Sequence, residues 1–208
     1  MYTLEKEHTS HYRARVIQPS YVIIHTTEGR PGSSFLAARE YLKTNARKVS
    51  AHFLVGEGLV IQYADPFSEV TYHAGWDTSR LPDGTWGSRV NDATIGIEMF
   101  NTSGTPAGTP IVDTCIDLVR DLLKRSERLA PPRVLGHREV DPTRRRDPTG
   151  VNMDLFRSRV AQEGATVRVE KLRYHLEKAA RDARSVGDQD VHDWLYKNIP
   201  AVLRLVSG

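Results

Sequence analysis

"YVIIHTT", Tyr21–Thr27, is a short β-branched apolar run that ends in polar residues. It reads as a buried strand carrying His25 at its C-terminal end. Downstream, "SSFLAAREYLKTN" places Phe35, Ala38 and Leu42 on one face of an amphipathic helix, with Ser33 or Ser34 as its N-cap. "AHFLVGEGLVIQYA" predicts two strands joined as a hairpin around Gly56-Glu57-Gly58. Loop chemistry fills "GWDTSRLPDGTWGSRVND", and "ATIGIEMF" (Ala93–Phe100) is the next strand. After a second loop, Thr109-Pro110 suits an N-cap followed by proline at the first helical position. The helix "IVDTCIDLVRDLL" follows, then "PPRVLGH", a short strand ending at His137, and a helix from about Asn152 to Gln162. Strands mixed with long helices indicate an α/β domain, a central mixed β-sheet flanked by helices.

The tail from Ala165 differs. "VRVEKLRYHLEKAARDARS" and "DVHDWLYKNIPAVLRLV" are amphipathic segments separated by "VGDQD", with Pro200 expected to kink or cap the second. The organisation expected is therefore a domain over 1–164 and a C-terminal helical hairpin extension over 165–208.

At 208 residues, with 39% hydrophobic and 26% charged content, the chain suits one good-sized soluble domain and a small appendage. No run approaches the roughly 18 apolar residues of a membrane span. Met1–Ser10 has charges but no apolar core, so no secretory signal is read there. The net charge of +3 permits an anionic partner without requiring one. The single cysteine, Cys115, excludes an intramolecular disulfide and lies at helical spacing with Val112, Ile116, Val119 and Leu122, a core thiol. A reducing compartment of synthesis, the cytoplasm, is expected.

Chemistry gathers at three strand-end residues: His25, Glu98 in "IGIEM", and His137. Strand ends converge on one edge of a sheet, where binding sites form. The two histidines could share a divalent metal, and zinc would want a third ligand and an open position for water. Asp147 could supply that ligand from "GHREVDPTRRRDPTG" (Gly136–Gly150), whose loop is stiffened by Pro142 and Pro148. Strand-end histidines that only make structural hydrogen bonds are the alternative. The arginine run Arg144–Arg146 lacks the aromatic and further basic residues of a nucleic-acid surface, so no nucleic-acid partner is expected.

From Tyr21 to about Phe156 the sequence resembles the zinc-dependent N-acetylmuramoyl-L-alanine amidases of the type 2 family. Their fold is shared with peptidoglycan recognition proteins and phage amidase lysins. The resemblance is carried by "VIIHTT", "SAHFLV", "YHAGW", "NDATIGIEM" and "GHREVDPTRRRDP", in the family's order. It implies the type 2 amidase fold, with His25, His137 and Asp147 as ligands of Zn2+. It also implies Glu98 as catalytic acid/base and Arg145 where many members have an oxyanion-steadying lysine. Arginine there keeps the charge but is no proton shuttle. Some phage members have a tyrosine where this chain has Ala51. His52 is expected to be structural, whereas His73 and Trp76 of "YHAGW" are candidates for the substrate-binding site.

The activity implied is hydrolysis of the amide between N-acetylmuramic acid and L-alanine, on peptidoglycan or muropeptides, with no organic cofactor. A phage-type endolysin, released to the cell wall by a holin-type protein, is the reading adopted. A cytoplasmic muropeptide-recycling amidase and a non-catalytic peptidoglycan-binding protein are the alternatives. The oligomeric state is not legible.

Overall fold

The computed structural model describes residues 2–162, 176, 179, 183 and 188–207. Its centre is strand β3 (Tyr21–Thr26), buried at all six positions. Such a strand must be covered on both faces, which is why its sequence is continuously apolar rather than alternating. On one side lies β7 (Thr94–Met99) and on the other β8 (Val134–Gly136), both parallel to β3. Beyond β7 comes β4 (Phe53–Val55), also parallel; β5 (Leu59–Gln62) pairs with β4 antiparallel. The edge is β1 (Thr3–Lys6), parallel to β5, giving the order β1-β5-β4-β7-β3-β8. The sheet is mixed, as expected. The expected hairpin is β4–β5, and its turn uses Gly58 at φ +63°, a left-handed conformation that glycine adopts without steric cost. A separate antiparallel pair joins β2 (Tyr12–Ala14) to β6 (Glu69–Thr71).

Helix α1 (Phe35–Thr44) is capped by Ser34, whose hydroxyl accepts from the Ala37 N–H at 3.2 Å. Its Leu42 is buried with Leu54, Ile61 and Tyr63. A short α2 (Arg89–Ala93) leads directly into β7. In α3 (Thr109–Arg125) the buried stripe includes Cys115, Ile116, Val119 and Leu122. Burial alone pushes the Cys115 thiol far up, so it is an inert core group. This helix starts one residue earlier than its sequence suggests. The Gly108 carbonyl accepts from the N–H groups of Ile111 and Val112, so Gly108 is the cap and Thr109 and Pro110 fill the first turn. Proline is tolerated there because a first-turn N–H has no helical partner. The strand β8 likewise stops at Gly136, and His137 opens α4 (His137–Val140). A helix α5 covers 153–162, and the Asn152 side chain caps it by accepting from Asp154 and Leu155.

The chain divides into two compact units, Met1–Ser158 and Arg159–Gly208. In the second, α6 (Gln189–Ser207) contains Pro200 within its length, so that proline does not cap the segment. The boundary expected at Gly164 and most of the first arm of the expected hairpin lie outside the described residues. Among the described residues no helix is long and apolar enough to cross a membrane.

Candidate metal centre

The pairing of β3 with β7 sets His25 opposite Glu98. Partnered residues on parallel strands share a face, so the register delivers an imidazole and a carboxyl side by side. β8 ends opposite Ile24, and His137 follows as the first residue of α4. Asp147 returns because Arg138 ties its loop down. The Arg138 N–H donates to the Asp147 carbonyl at 2.8 Å, and its guanidinium donates to the carbonyls of Pro148 and Val151. Gly136 makes room for this return, since a Cβ there would lie 2.9 Å from Pro148 Cδ. The Asp147–Pro148 peptide bond is cis. Glu139 accepts from the Gly136 N–H at 2.6 Å and pairs with Arg157, so these charges hold the loop.

The three side chains meet. His25 Nδ1 lies 2.9 Å from His137 Nδ1 and 3.2 Å from Asp147 Oδ2, and His137 Nδ1 lies 3.1 Å from the same oxygen. All three residues are buried, and they form a cluster able to hold a metal ion. Tetrahedral zinc with bonds of about 2.0–2.1 Å spaces its ligand atoms roughly 3.3–3.4 Å apart, only slightly wider than these contacts. Two imidazoles and one carboxylate are the donor set of an open, catalytic type of site. Burial, helped by the nearby His137, pushes His25 down to about 4, so it is neutral and ligand-competent at physiological pH. Burial pushes Asp147 up, but hydrogen bonding, first with His137, outweighs it and holds the carboxyl well below its ordinary range.

Glu98 stands beside this cluster with its Oε2 buried and unpartnered. Burial pushes its carboxyl up to about 8; the Asp147 charge adds to the shift and Arg145 opposes it. Arg145 also keeps a buried, unpartnered Nε. Its backbone is fixed by donation to the Asp141 carbonyl at 2.9 Å. The buried Asp141 carboxylate accepts from Thr78 and Thr143. Trp76 is half-exposed, and the Arg144 guanidinium stacks 3.9 Å from its ring centroid. Thus His25, Glu98, His137 and Asp147 come together, with Arg145 close enough for its charge to act on Glu98.

His73 is placed differently from its expectation as a substrate-lining residue. It is buried behind His25, with Nδ1 3.0 Å from His25 Nε2 and Nε2 3.1 Å from the Thr94 hydroxyl. Both ring nitrogens are engaged, which leaves neither for a substrate. Three residues that the sequence reading passed over hold it there. The Asn91 side-chain oxygen accepts from the N–H groups of His73 and Ala74, at 3.1 and 2.9 Å. Thr94 meets the ring. Gly96 leaves space for it, since a Cβ there would fall 2.5 Å from His73 Cγ. A glycine inside the β-branched strand "TIGIE" is the signal that could have pointed to such a close approach.

His52 is structural. It is fully buried, with Nδ1 accepting from the Gly96 N–H at 3.0 Å and Nε2 lying 3.1 Å from the Glu69 carbonyl. Burial, with the Arg15 charge, pushes it down to about 3. In the unfolded chain it titrates near 6.5. Between these values the unfolded state binds a proton that the native state refuses, so stability is full above pH ~6.5 and is lost on acidification. The expected slope from this one residue is about 1.4 kcal/mol per pH unit below the unfolded value. Urea unfolding of metal-free protein between pH 7.5 and 5 checks it, with His52→Gln expected to flatten the profile by one proton's worth. Equal slopes in the two proteins would contradict the assignment.

Residues 15–150 match the model of a family described as N-acetylmuramoyl-L-alanine amidase. The 1,6-anhydro-N-acetylmuramyl-L-alanine amidase AmpD of Haemophilus influenzae is 28% identical over 102 residues, 49% of this chain and 52% of that protein. AmpD of Enterobacter cloacae is 30% identical over 92 residues, 44% of this chain and 46% of that protein. The chain thus spans about half the length of the curated relatives it matches. Among solved structures, a selenomethionine derivative of AmpD superposes with TM-score 0.60 at 24% identity, covering 75% of this chain and 93% of that one. A mutant endolysin from Bacillus subtilis gives 0.60 at 19% identity, covering 77% and 99%. At these identities the likeness establishes the fold.

Proposed function

The chain belongs to the N-acetylmuramoyl-L-alanine amidase family, and from that premise we propose that it hydrolyses the amide between N-acetylmuramic acid and the L-alanine of the stem peptide. The observation that carries this reading is the meeting of three buried ligand atoms beside an unpartnered buried carboxyl. A peptidoglycan-binding module would need neither feature.

His25, His137 and Asp147 would hold a zinc ion. Bound there, zinc supplies Lewis acidity, polarising the scissile carbonyl and lowering the pKa of a water toward ~7. Glu98 takes the proton of the attacking water and returns it to the leaving amine. Burial sets its carboxyl up at about 8, with Arg145 opposing the shift, so near neutral pH both protonation states are within reach. Arg145 points its charge into the same region and steadies the oxyanion of the tetrahedral intermediate. Trp76, half-exposed and stacked by Arg144, is the aromatic side chain proposed to meet sugar or peptide.

Under the endolysin reading the substrate is assembled peptidoglycan; a Bacillus subtilis endolysin shares the fold. The AmpD relatives favour a second reading, in which soluble anhydro-muropeptides are cleaved instead. Mass spectrometry of products from purified sacculi and from a soluble anhydro-muropeptide tests both. Free stem peptides beginning with L-alanine are expected from sacculi. Cleavage of the soluble substrate alone would favour the recycling reading, and products that all keep the muramoyl–alanine amide would overturn amidase activity.

A further inference from the structure

The hydrogen bonds behind His25 have only one self-consistent direction. The Thr94 hydroxyl lies 2.7 Å from the Val90 carbonyl, which can only accept, so its single proton goes there. Thr94 Oγ1 must then accept from His73 Nε2, 3.1 Å away. A neutral His73 protonated at Nε2 presents a lone pair at Nδ1, and that lone pair faces His25 Nε2 at 3.0 Å. His25 therefore carries its proton on Nε2 and has a bare lone pair at Nδ1. That lone pair faces the Asp147 carboxylate oxygen at 3.2 Å and His137 Nδ1 at 2.9 Å. An imidazole lone pair and a carboxylate oxygen face each other across this space, an arrangement that a shared cation relieves.

We propose that His73 is a positioning residue: the chain Val90–Thr94–His73 fixes the tautomer and ring orientation of His25, so that Nδ1 is held ready for a metal ion. The inference rests on the metal-site reading above and adds residues that touch neither metal nor substrate. The placement is built from several directions. Asn91 pins the His73 backbone, Gly96 admits its ring, and Thr94 sits at the junction of α2 and β7, where its hydroxyl reaches back one helical turn. Outer partners of ligating histidines commonly set metal affinity in this way, with their loss costing roughly 10–100-fold.

The test is zinc affinity, measured by competition with a chromophoric chelator on the full chain. Thr94→Val keeps the side-chain shape but removes the acceptor, and zinc affinity is expected to fall roughly 10- to 100-fold with the fold retained. Thr94→Ser restores the hydroxyl and should recover most of that loss. His73→Leu should weaken binding at least as much; should it fail to fold, the Thr94 pair still decides. Nitrogen-15 NMR of the zinc-loaded parent should show His25 and His73 both protonated at Nε2. Zinc binding by Thr94→Val within about twofold of the parent would overturn the proposal. A proton on Nδ1 of His25 or His73 would overturn it as well. A parent protein that binds no zinc would instead bring down the metal-site reading, and this inference with it.

Discussion

Removing zinc with a strong chelator is expected to abolish amide hydrolysis while leaving the domain folded, and about one equivalent of zinc should restore it. The separation of folding from activity follows from where the core lies. Val22, Ile23, Ile24, Ile95 and Ile97 are fully buried in adjoining strands, each contributing roughly 1.5–3 kcal/mol by burial. None of these contacts depends on an ion. On the proposed reading the chemistry does depend on one, because His25, His137 and Asp147 would contribute ligand atoms but no nucleophile of their own. Asp147→Asn should show the same split in milder form: a neutral amide is a poorer zinc ligand than a carboxylate, so metal content drops and the circular dichroism spectrum holds. Metal analysis, circular dichroism and product release on the same samples check the three statements together. Activity indifferent to the chelator, in protein free of zinc, would defeat the assignment.

How much of this was legible in the sequence depended on whether a residue's environment lies in its own segment. β3 and β7 were readable because a strand buried on both faces must be continuously apolar, and the family-like segments placed His25 and Glu98 on them. β1 was not: Thr3–Lys6 is a short edge strand with mostly exposed side chains, so its sequence carries no burial signal. α3 began at the wrong residue because Thr109 is the better cap by composition, whereas the Gly108 carbonyl is the one that accepts. The largest difference concerns His73. Its own segment, "YHAGW", reads as an exposed loop, while its burial is decided by Asn91, Thr94 and Gly96, far along the chain. His25, His137 and Asp147, by contrast, meet as a buried cluster able to hold a metal ion. Strand order brings the two histidines to one sheet edge, and the Arg138 hydrogen bonds return Asp147 to them.

Glu98→Gln should lower turnover by roughly 10²–10⁴-fold while zinc content and thermal stability stay near those of the parent. Glutamine has the shape of glutamate and cannot take or return a proton. The parent Oε2 has no hydrogen-bond partner, so the substitution breaks no hydrogen bond at that oxygen. Stability is expected to hold, because burying a neutral amide avoids the desolvation that pushes the Glu98 carboxyl up to about 8. This distinguishes Glu98 from Asp147, where a loss of activity would come with a loss of metal. It also distinguishes Glu98 from His73, which is engaged at both ring nitrogens and has no free site for proton transfer. Steady-state kinetics on a soluble muropeptide, with zinc measured on the same preparation, gives the answer. Near-parental turnover in a zinc-replete Glu98→Gln protein would mean that another group moves the proton. Of the groups near the cluster, Arg145 is a guanidinium, suited to steadying charge rather than shuttling a proton. On the proposed reading the proton path rests on the carboxyl that β7 delivers opposite His25.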